Sequence, residues 1–323
     1  MFQKSVGREQ HHGMKIIVVG DINVDVILSG CRELPSFGRE VLAEDSSMVL
    51  GCASVITAAG LARLGNDVAF VGKVGRDSGG EFCLEKMTEA GMDVTRVIRD
   101  SSVKTGITVS ISSRSDRALI SYPGAMTALV ESEIPDECLV GFEHMHLSSY
   151  FLHERLRPNY RSLFRRAGER GMTTSVDPAH DPSELWGPDL QEVLREIDVF
   201  LPNEVELRGI SGCKDPIEGM RRLQNGRTLT VVKLGASGAL ALAGHEPVRQ
   251  AAPPVQPIDP TGAGDSFNSG FLDAWLRRRP LQEALRLGVA CGSYSTLGLG
   301  GTGHQANREQ AEALLRQHGM LPA

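Results

Sequence analysis

The sequence predicts an α/β protein whose central sheet is doubly wound, mostly parallel and flanked by helices, with a small β-sheet lid beside it. Two observations support this prediction. Short, mostly apolar segments alternate with helical patterns along the chain, which is typical of a parallel sheet covered on both faces. Residues 27–50 and 103–124, in contrast, lack a convincing helix and have the character of β-strands. We expect these two segments to pair into the lid.

The elements of the main sheet follow one another in a regular order. The predicted strands, each followed by a turn or helix signal, are residues 15–20, 68–75, 145–149, 173–177, 199–203 and 229–235. The helical patterns between them are residues 53–64, 77–90, 155–170, 189–197 and 215–225. A further helix follows residue 262, and Asn307 begins the last one, with Gln310 in a capping arrangement. In such a sheet the ligand binds beyond the carboxyl ends of the strands.

Length and composition set the domain organisation. The chain has 323 residues, of which 41% are hydrophobic, enough for one large α/β domain or two smaller ones. We expect a single domain over residues 14–323. The polar, irregular residues 1–13 are interpreted as a disordered extension.

Charge and cysteine usage exclude several classes of function. A formal net charge of -6 argues against a nucleic-acid partner, which normally meets a basic face. The six cysteines are dispersed and form no CxxC pair, which is typical of reduced thiols. No apolar run reaches transmembrane length and no signal peptide is visible. The sequence therefore predicts a cytoplasmic protein with no membrane partner.

The segment "DPTGAGDSF", residues 259–267, is the strongest chemical signal. Gly262, Ala263 and Gly264 form a turn of small residues at a helix N-terminus, where free N–H groups and the helix dipole favour an anion. Asp265 lies in the first turn of that helix. Asp265 could simply complement the helix dipole, but a carboxylate in that role does not require three small residues before it. We therefore favour phosphate chemistry, although the chain lacks the P-loop, protein-kinase and GxGxxG dinucleotide motifs.

Six segments with sensible spacing extend this signal over most of the chain. In order, they are "VVGDINVDVIL", "GCASVITAAGLARLG", "FVGKVGRDSGG", "LPNEVE", "VVKLGASGAL" and "DPTGAGDSFNSGF". Together they resemble the signatures of the ribokinase-like, PfkB carbohydrate kinase family. The resemblance implies ATP-dependent phosphorylation of a primary hydroxyl of a small sugar or sugar acid. The alternatives are a nucleoside kinase of the same family and a non-catalytic sensor of nucleotide and sugar.

The resemblance also implies how the turn would act. Asp265 would take the proton from the attacking hydroxyl as that hydroxyl attacks the γ-phosphate of ATP. The N–H groups of Gly262, Ala263 and Gly264 would stabilise the charge on the transferred group.

On the acceptor side, the resemblance implies contacts from Asn23, Asp25, Gly51 and Cys52 to the sugar. The alternatives are that Asp25 is a turn residue and that Cys52 is simply a small buried residue. Two departures stand out, because the family usually has glycine where this chain has Cys52 and asparagine where it has Ile56. Ile56 cannot hydrogen-bond a hydroxyl, which gives the nucleoside alternative some support.

On the nucleotide side, the resemblance implies that Asn203 and Glu206 hold Mg²⁺, through water; the alternative is that they cap the next helix. Lys233 would contact phosphate; the alternative is that it is a solvent-exposed lysine at a strand end with no role in binding. The remaining residues expected near the nucleotide are Gly235 and Gly238, in a tight turn, and Val289, as an apolar wall for the base.

Two further expectations concern an ion and a partner. The resemblance implies a possible K⁺ site at Asp259, with the backbone near Thr261 and Gly300. The lid has open edges and apolar positions, so we expect a homodimer formed through the lid.

Overall fold

The computed structural model of the protein describes four stretches of the chain, namely residues 13–113, 117–187, 189–244 and 246–321. The expected extension at residues 1–13 lies outside these stretches, apart from Gly13. In the described part of the chain, no helix combines the length and the apolar character that crossing a bilayer requires.

Fifteen strands are found in the described residues. They are β1 (Lys15–Val19), β2 (Asn23–Cys31), β3 (Asp45–Gly51), β4 (Asp67–Val71), β5 (Lys73–Gly75), β6 (Met92–Asp93), β7 (Ile98–Asp100), β8 (Gly106–Ser113), β9 (Arg117–Tyr122), β10 (His144–Leu147), β11 (Thr173–Val176), β12 (Val199–Phe200), β13 (Leu229–Lys233), β14 (Ala239–Ala243) and β15 (Glu246–Gln250).

The main sheet has nine strands in the order β15-β14-β13-β12-β11-β10-β1-β4-β6. The seven strands from β13 to β6 pair in parallel, whereas β14 and β15 extend one edge in antiparallel fashion. This antiparallel edge was not part of the sequence prediction. The predicted strand at residues 68–75 is two strands, since β5 leaves the main sheet to pair with β7.

The described residues form nine α-helices. They are α1 (Ala53–Arg63), α2 (Ser78–Glu89), α3 (Tyr160–Glu169), α4 (Asp189–Leu194), α5 (Glu204–Ser211), α6 (Pro216–Arg222), α7 (Ala263–Leu276), α8 (Leu281–Ser295) and α9 (Arg308–Gln317).

Helices cover both faces of the main sheet, as its sequence pattern predicts. Ile16 and Val18 of β1 belong to one apolar core, together with residues of α1, α7, α8 and α9. Ile17 and Val19, their neighbours in the same strand, belong to a second core with residues of α3, α5 and α6. Because successive side chains of a strand point to opposite faces, β1 is buried on both sides. The predicted fold class is confirmed.

Helix α8 was not predicted, and its packing explains why. Its sequence includes Gly288 and Gly292, and glycine lowers helix propensity by about 1 kcal/mol relative to alanine. A Cβ on Gly288 would lie 2.8 Å from the ring of Phe267 on α7, and a Cβ on Gly292 would lie 3.0 Å from the carbonyl oxygen of Ala263. The glycines therefore let α8 approach the first turns of α7 closely.

The second sheet has four strands in the order β3-β2-β8-β9. Its register aligns Asp25 with Val49, Thr108 and Ser121, so these side chains share one face. The residues that alternate with these along each strand point to the opposite face of the sheet, which is largely apolar. We call this second sheet the lid, meaning strands β2, β3, β8 and β9.

Candidate active site

The turn before α7 has the backbone conformation that the small residues predicted. Gly262 lies in the left-handed region, with φ of +73°. A Cβ at this position would lie 2.8 Å from the Cα of Gly301, so the turn requires glycine both for its conformation and for its space. The Ala263 N–H donates to the carbonyl of Pro260 at 3.2 Å. Ala263 is therefore already engaged, which leaves Gly264 in the first turn as the better placed of the two donors.

Asp265 faces a large cavity of about 870 Å³ next to this turn. Burial, followed by the nearby Asp177 carboxylate, raises the pKa of Asp265 well above its usual value, while the Lys233 ammonium lowers it. A carboxylate with a raised pKa is well matched to accepting a proton during a reaction near neutral pH.

The same cavity collects most of the residues predicted for the nucleotide side. Those that line it are Asn203, Glu206, Lys233, Gly235, Gly238, Ala263, Gly264, Asp265 and Val289. Gly235 and Gly238 both have positive φ, and a Cβ on Gly238 would lie 2.0 Å from the carbonyl oxygen of Gln250. Val289 lies on α8, and the apolar segment Ala252–Pro254 also lines the cavity. Apolar and charged residues thus line the same cavity.

Lys233 is held in a buried network that the sequence analysis missed. Its Nζ donates to Asp177 Oδ2 at 2.5 Å, and Asn268 Nδ2 donates to the same oxygen at 2.6 Å. The backbone N–H of Ala179 donates to Asp177 Oδ1 at 3.0 Å. A Cβ on Gly264 would lie 3.5 Å from Lys233 Nζ. The ammonium therefore lies beside the glycine-rich turn.

The charges around Lys233 keep it protonated. Burial lowers the pKa of Lys233, but the carboxylates of Asp177, Glu206 and Asp265 raise it further, so the net shift is upward. Burial raises the pKa of Asp177, but Lys233 and Asn268 lower it to a net value below its usual one. This corner of the cavity thus holds three carboxyl groups around one cation.

Asn203 and Glu206 form a capping box at the start of α5. The Glu206 N–H donates to Asn203 Oδ1 at 2.9 Å, while Asn203 donates from its backbone N–H to Glu206 Oε2 at 2.8 Å and from Nδ2 to Oε1 at 2.7 Å. The helix-capping alternative is therefore present in the structure. Burial, then Asp177, raises the pKa of Glu206 to about 7.

The donor set at Glu206 also fits Mg²⁺ bound through water. The described residues contain no cluster of three or more acidic, histidine or cysteine side chains that could enclose a metal. Mg²⁺ does not need such a cage, because it keeps several waters and uses one or two carboxylates together with substrate phosphates. Glu206 is buried and faces the cavity, and its raised pKa means that its ionised form is poorly stabilised there. A Mg²⁺ ion would supply the positive charge that stabilises it.

Asp259 joins two loops beside the turn. Its Oδ1 accepts the Thr261 N–H and its Oδ2 accepts the Gly300 N–H, each at 2.9 Å. The expected grouping of these three residues is thus present, while the binding of K⁺ there stays a prediction.

The predicted acceptor residues lie on the lid and at the start of α1, outside the lining of this cavity. Asn23 is only 3% exposed, and its Nδ2 donates to Thr108 Oγ1 on β8 at 2.8 Å. A Cβ on Gly51 would lie 2.1 Å from Asn23 Oδ1 and 2.2 Å from Asp25 Oδ1. Burial raises the pKa of Asp25 to about 6, partly offset by a hydrogen bond from Asn23.

Ile56 packs against the glycine-rich turn. Cβ atoms built on Gly262 and Gly301 would lie 3.0 Å and 2.4 Å from its side-chain carbons. Ile56 therefore supports the turn, and the hydroxyl contact that asparagine would make at this position is absent.

Two buried aspartates escaped the sequence analysis, although each lies at the carboxyl end of a predicted strand. Asp177 follows β11, and Asp21 lies between β1 and β2. Asp21 accepts hydrogen bonds from the hydroxyls of Ser54 and Ser149. A search for carboxylates at the last position of each predicted strand or just beyond it would have found both.

Cys52 departs from the glycine that the family resemblance predicts, and its backbone is strained. Its φ of 77° and ψ of 140° lie near a region that essentially only glycine adopts, at a cost of about 1–3 kcal/mol. We expect Cys52→Gly to increase the free energy of unfolding by about 1 kcal/mol, measured by urea denaturation. Cys52→Ala keeps the strained Cβ and should give no such gain. A Cys52→Gly protein less stable than Cys52→Ala would contradict this account.

Comparisons with known proteins agree with this geometry. The family described as "pfkB family carbohydrate kinase" matches residues 14–306. The chain is 28% identical over 287 residues to the ATP-dependent ribose-1-phosphate kinase of Halopiger xanaduensis, covering 87% of this chain and 92% of that protein. It is 28% identical over 284 residues to the cytidine kinase of Thermococcus kodakarensis, covering 85% and 94%.

Solved structures show the same fold. The ribokinase of Arabidopsis thaliana, in a complex with ribose and ATP, superposes with a TM-score of 0.83 at 24% identity, covering 94% of this chain and 99% of that chain. The family match extends from β1 to the segment just before α9, and it includes the glycine-rich turn and Asp265. This chain therefore belongs to the pfkB family of carbohydrate kinases.

Proposed function

We propose that this protein transfers the γ-phosphoryl group of ATP to a primary hydroxyl of a small sugar or sugar acid, with Asp265 as the base. One observation carries the proposal. Asp265, Gly264 and Lys233 line one cavity of about 870 Å³, which apolar residues such as Val289 and Pro253 also line, and the Lys233 ammonium lies beside Gly264. A base, an anion-binding turn and a cation at a single point are the groups that phosphoryl transfer needs.

In this proposal the cavity binds ATP. The nucleobase packs against Val289 and the segment Ala252–Pro254, and the phosphates lie toward Gly264 and Lys233. Mg²⁺, when bound, neutralises charge on the phosphates, and Asn203 and Glu206 would hold it through water. The N–H of Gly264 and the ammonium of Lys233 stabilise the charge that develops on the transferred group.

The acceptor enters from the lid side, between Asp25 and Asp265. Asp265 takes the proton from the attacking hydroxyl in the transition state. Its raised pKa makes it a competent proton acceptor, and Lys233 favours its ionised form. The lid excludes water that would otherwise hydrolyse ATP.

The test is ADP release by purified protein with Mg²⁺-ATP, supplied with sugars, sugar acids and nucleosides in turn. Turnover with a sugar or sugar acid supports the proposal and identifies the acceptor. Reactions in K⁺ and in Na⁺ buffers test the proposed cation site at Asp259, where a K⁺-dependent rate is expected. ATP binding without turnover on any acceptor would favour the sensor instead.

A nucleoside kinase is the second candidate. The apolar Ile56 favours it, because the site offers no side-chain hydrogen bond at that position. The cytidine kinase relative supports it as well. Turnover with nucleosides and none with free sugars would select this candidate.

We also propose a homodimer formed through the lid. The apolar face of the lid exposes 51% of Met48, 66% of Ile120 and 52% of Tyr122, and neighbouring exposed apolar side chains of this kind are typical of a protein–protein interface. We expect sedimentation equilibrium to give a dimer and Ile120→Asp to give a monomer. A wild-type protein that sediments as a monomer at micromolar concentration would exclude this interface.

A further inference from the structure

Gln305 is a buried residue whose side-chain amide joins three segments of the chain. It lies in the connection between α8 and α9, and only 2% of it is exposed. Its Nε2 donates to the backbone carbonyl of Ile56 on α1 at 2.8 Å and to Ser266 Oγ on α7 at 3.1 Å. Because Ser266 directly follows Asp265, this amide is fastened to the helical turn that carries the proposed base.

The orientation of the Gln305 amide follows from its partners. A backbone carbonyl can only accept a hydrogen bond, so the end of the amide that faces Ile56 is the NH₂ group. The small pocket that Gln305 shares with Ser266 and Ser269 has no room for a water molecule. Water therefore cannot take over these two hydrogen bonds if an apolar side chain of similar size replaces the amide.

Two hydroxyl groups lie between the same two helices. Ser269 Oγ on α7 lies 2.9 Å from the carbonyl oxygen of Thr57 on α1 and 2.9 Å from that of Asp265, so it can donate to either. Thr57 Oγ1 lies 3.5 Å from the same Asp265 carbonyl oxygen. We call this buried polar contact between the helices the α1–α7 seam, meaning Thr57, Ser266, Ser269 and Gln305.

Gly60 leaves the space that the α1–α7 seam needs. A Cβ on Gly60 would lie 2.4 Å from Ser269 Oγ and 2.8 Å from Gln305 Nε2. Glycine in a helix interior costs about 1 kcal/mol of stability relative to alanine. The chain nonetheless has glycine at this point of α1, because a larger residue would push α1 away from α7 and Gln305.

The relative position of α1 and α7 sets the distance between acceptor and base. The predicted acceptor residues lie on the lid and at the start of α1, which begins at Ala53, whereas Asp265 lies in the first turn of α7. A base must lie within about 2.6–3.2 Å of the hydroxyl that it deprotonates. Because a displacement of about 1 Å can slow a reaction about 100-fold, a change in the spacing of these two helices acts on the rate.

We propose that Gln305 is a positioning residue, which fixes the first turn of α7 against α1 so that Asp265 meets the acceptor hydroxyl at the distance that proton transfer needs. The inference rests on the proposed function. Gln305 does not line the cavity of about 870 Å³, so it acts through α7 and not by touching the substrate. It also lies outside the six segments that carry the family resemblance.

The experiment compares wild type, Gln305→Met and the control Thr228→Val, each well below its melting temperature. Methionine has a similar length but cannot donate a hydrogen bond. Thr228 Oγ1 donates to the backbone carbonyls of Leu194 and Ile197, so Thr228→Val removes a hydrogen bond to the backbone outside the α1–α7 seam. We expect kcat to fall roughly tenfold in Gln305→Met, with KM for ATP changed less than about twofold, and to stay unchanged in the control. A merely structural role would lower the melting temperature of both variants and leave kcat unchanged.

Amide hydrogen exchange separates failure of this inference from failure of the proposed function, because it needs no turnover. In Gln305→Met we expect the amides of residues 266–269 to exchange about tenfold faster than in the wild type, while those of α3 keep their rates. Faster exchange of this turn in a protein that phosphorylates no acceptor would overturn the kinase proposal and still support the hold of Gln305 on α7.

Three results would overturn the inference. The first is a wild-type kcat in Gln305→Met, and the second is a loss of ATP affinity as large as the loss of kcat, which would indicate general damage to the site. If Gln305→Met does not fold, Ser269→Ala takes its place, since it removes the hydroxyl that can donate from α7 to α1 and should also lower kcat. A wild-type kcat in Ser269→Ala is then the third result.

Discussion

Asp265→Asn is expected to lower the rate of ADP release by ~100- to 10,000-fold, the largest effect of any single change in this protein. Asparagine has nearly the same shape as aspartate but cannot take the proton of the attacking hydroxyl. The cavity and the glycine-rich turn should persist, so ATP should bind the variant about as well as it binds the wild type. The measurement is coupled ADP release with the best acceptor from the panel.

Stability provides the control for Asp265→Asn. Burial raises the pKa of Asp265 well above its usual value, so the folded state disfavours the ionised form. Replacing it with a neutral amide should therefore leave the free energy of unfolding unchanged or increase it at neutral pH. A variant with wild-type turnover would show that another group accepts the proton. If Asp265→Asn does not fold, Asp265→Glu is compared with the wild type instead. Asp265→Glu keeps the carboxylate and should retain part of the rate.

Lys233→Met is expected to slow turnover by ~100- to 1000-fold and to change its pH dependence. The ammonium lies beside Gly264, where it would stabilise charge on the transferred group. It also lowers the pKa of Asp265. Without it the Asp265 pKa rises further, so the acid limb of the pH–rate profile should move to higher pH. The measurement is kcat as a function of pH for the wild type and the variant.

A double variant separates the catalytic role of Lys233 from its structural role. Lys233→Met alone leaves the buried Asp177 carboxylate without its cationic partner, which should cost about 3–5 kcal/mol of stability. Lys233→Met with Asp177→Asn removes both charges and should recover much of that stability, but not the rate. If the double variant also recovered wild-type turnover, Lys233 would act only by neutralising Asp177.

The glycine-rich turn was predictable because its requirements are local. Gly262 needs a left-handed backbone and has no room for a Cβ, and both constraints are satisfied by the residue itself. The alternation of apolar strands and helices was predictable for the same reason, since burial on two faces leaves its pattern within each segment. Helix α8 was not predictable, because its glycines allow close contact with α7 and weaken the local helical pattern.

The sequence by itself determined the alternation of parallel strands and helices, the family and the residues of the turn. The tertiary structure decided which side chains meet. Lys233 reaches Asp177 across 56 residues, and Asn23 reaches Thr108 across 85. Such pairs depend on the order and register of strands that are distant in the chain, and periodicity reports only whether a residue is buried. The charge network at Asp265 and the hydrogen bond from Asn23 to Thr108 therefore exist only once the strands lie side by side.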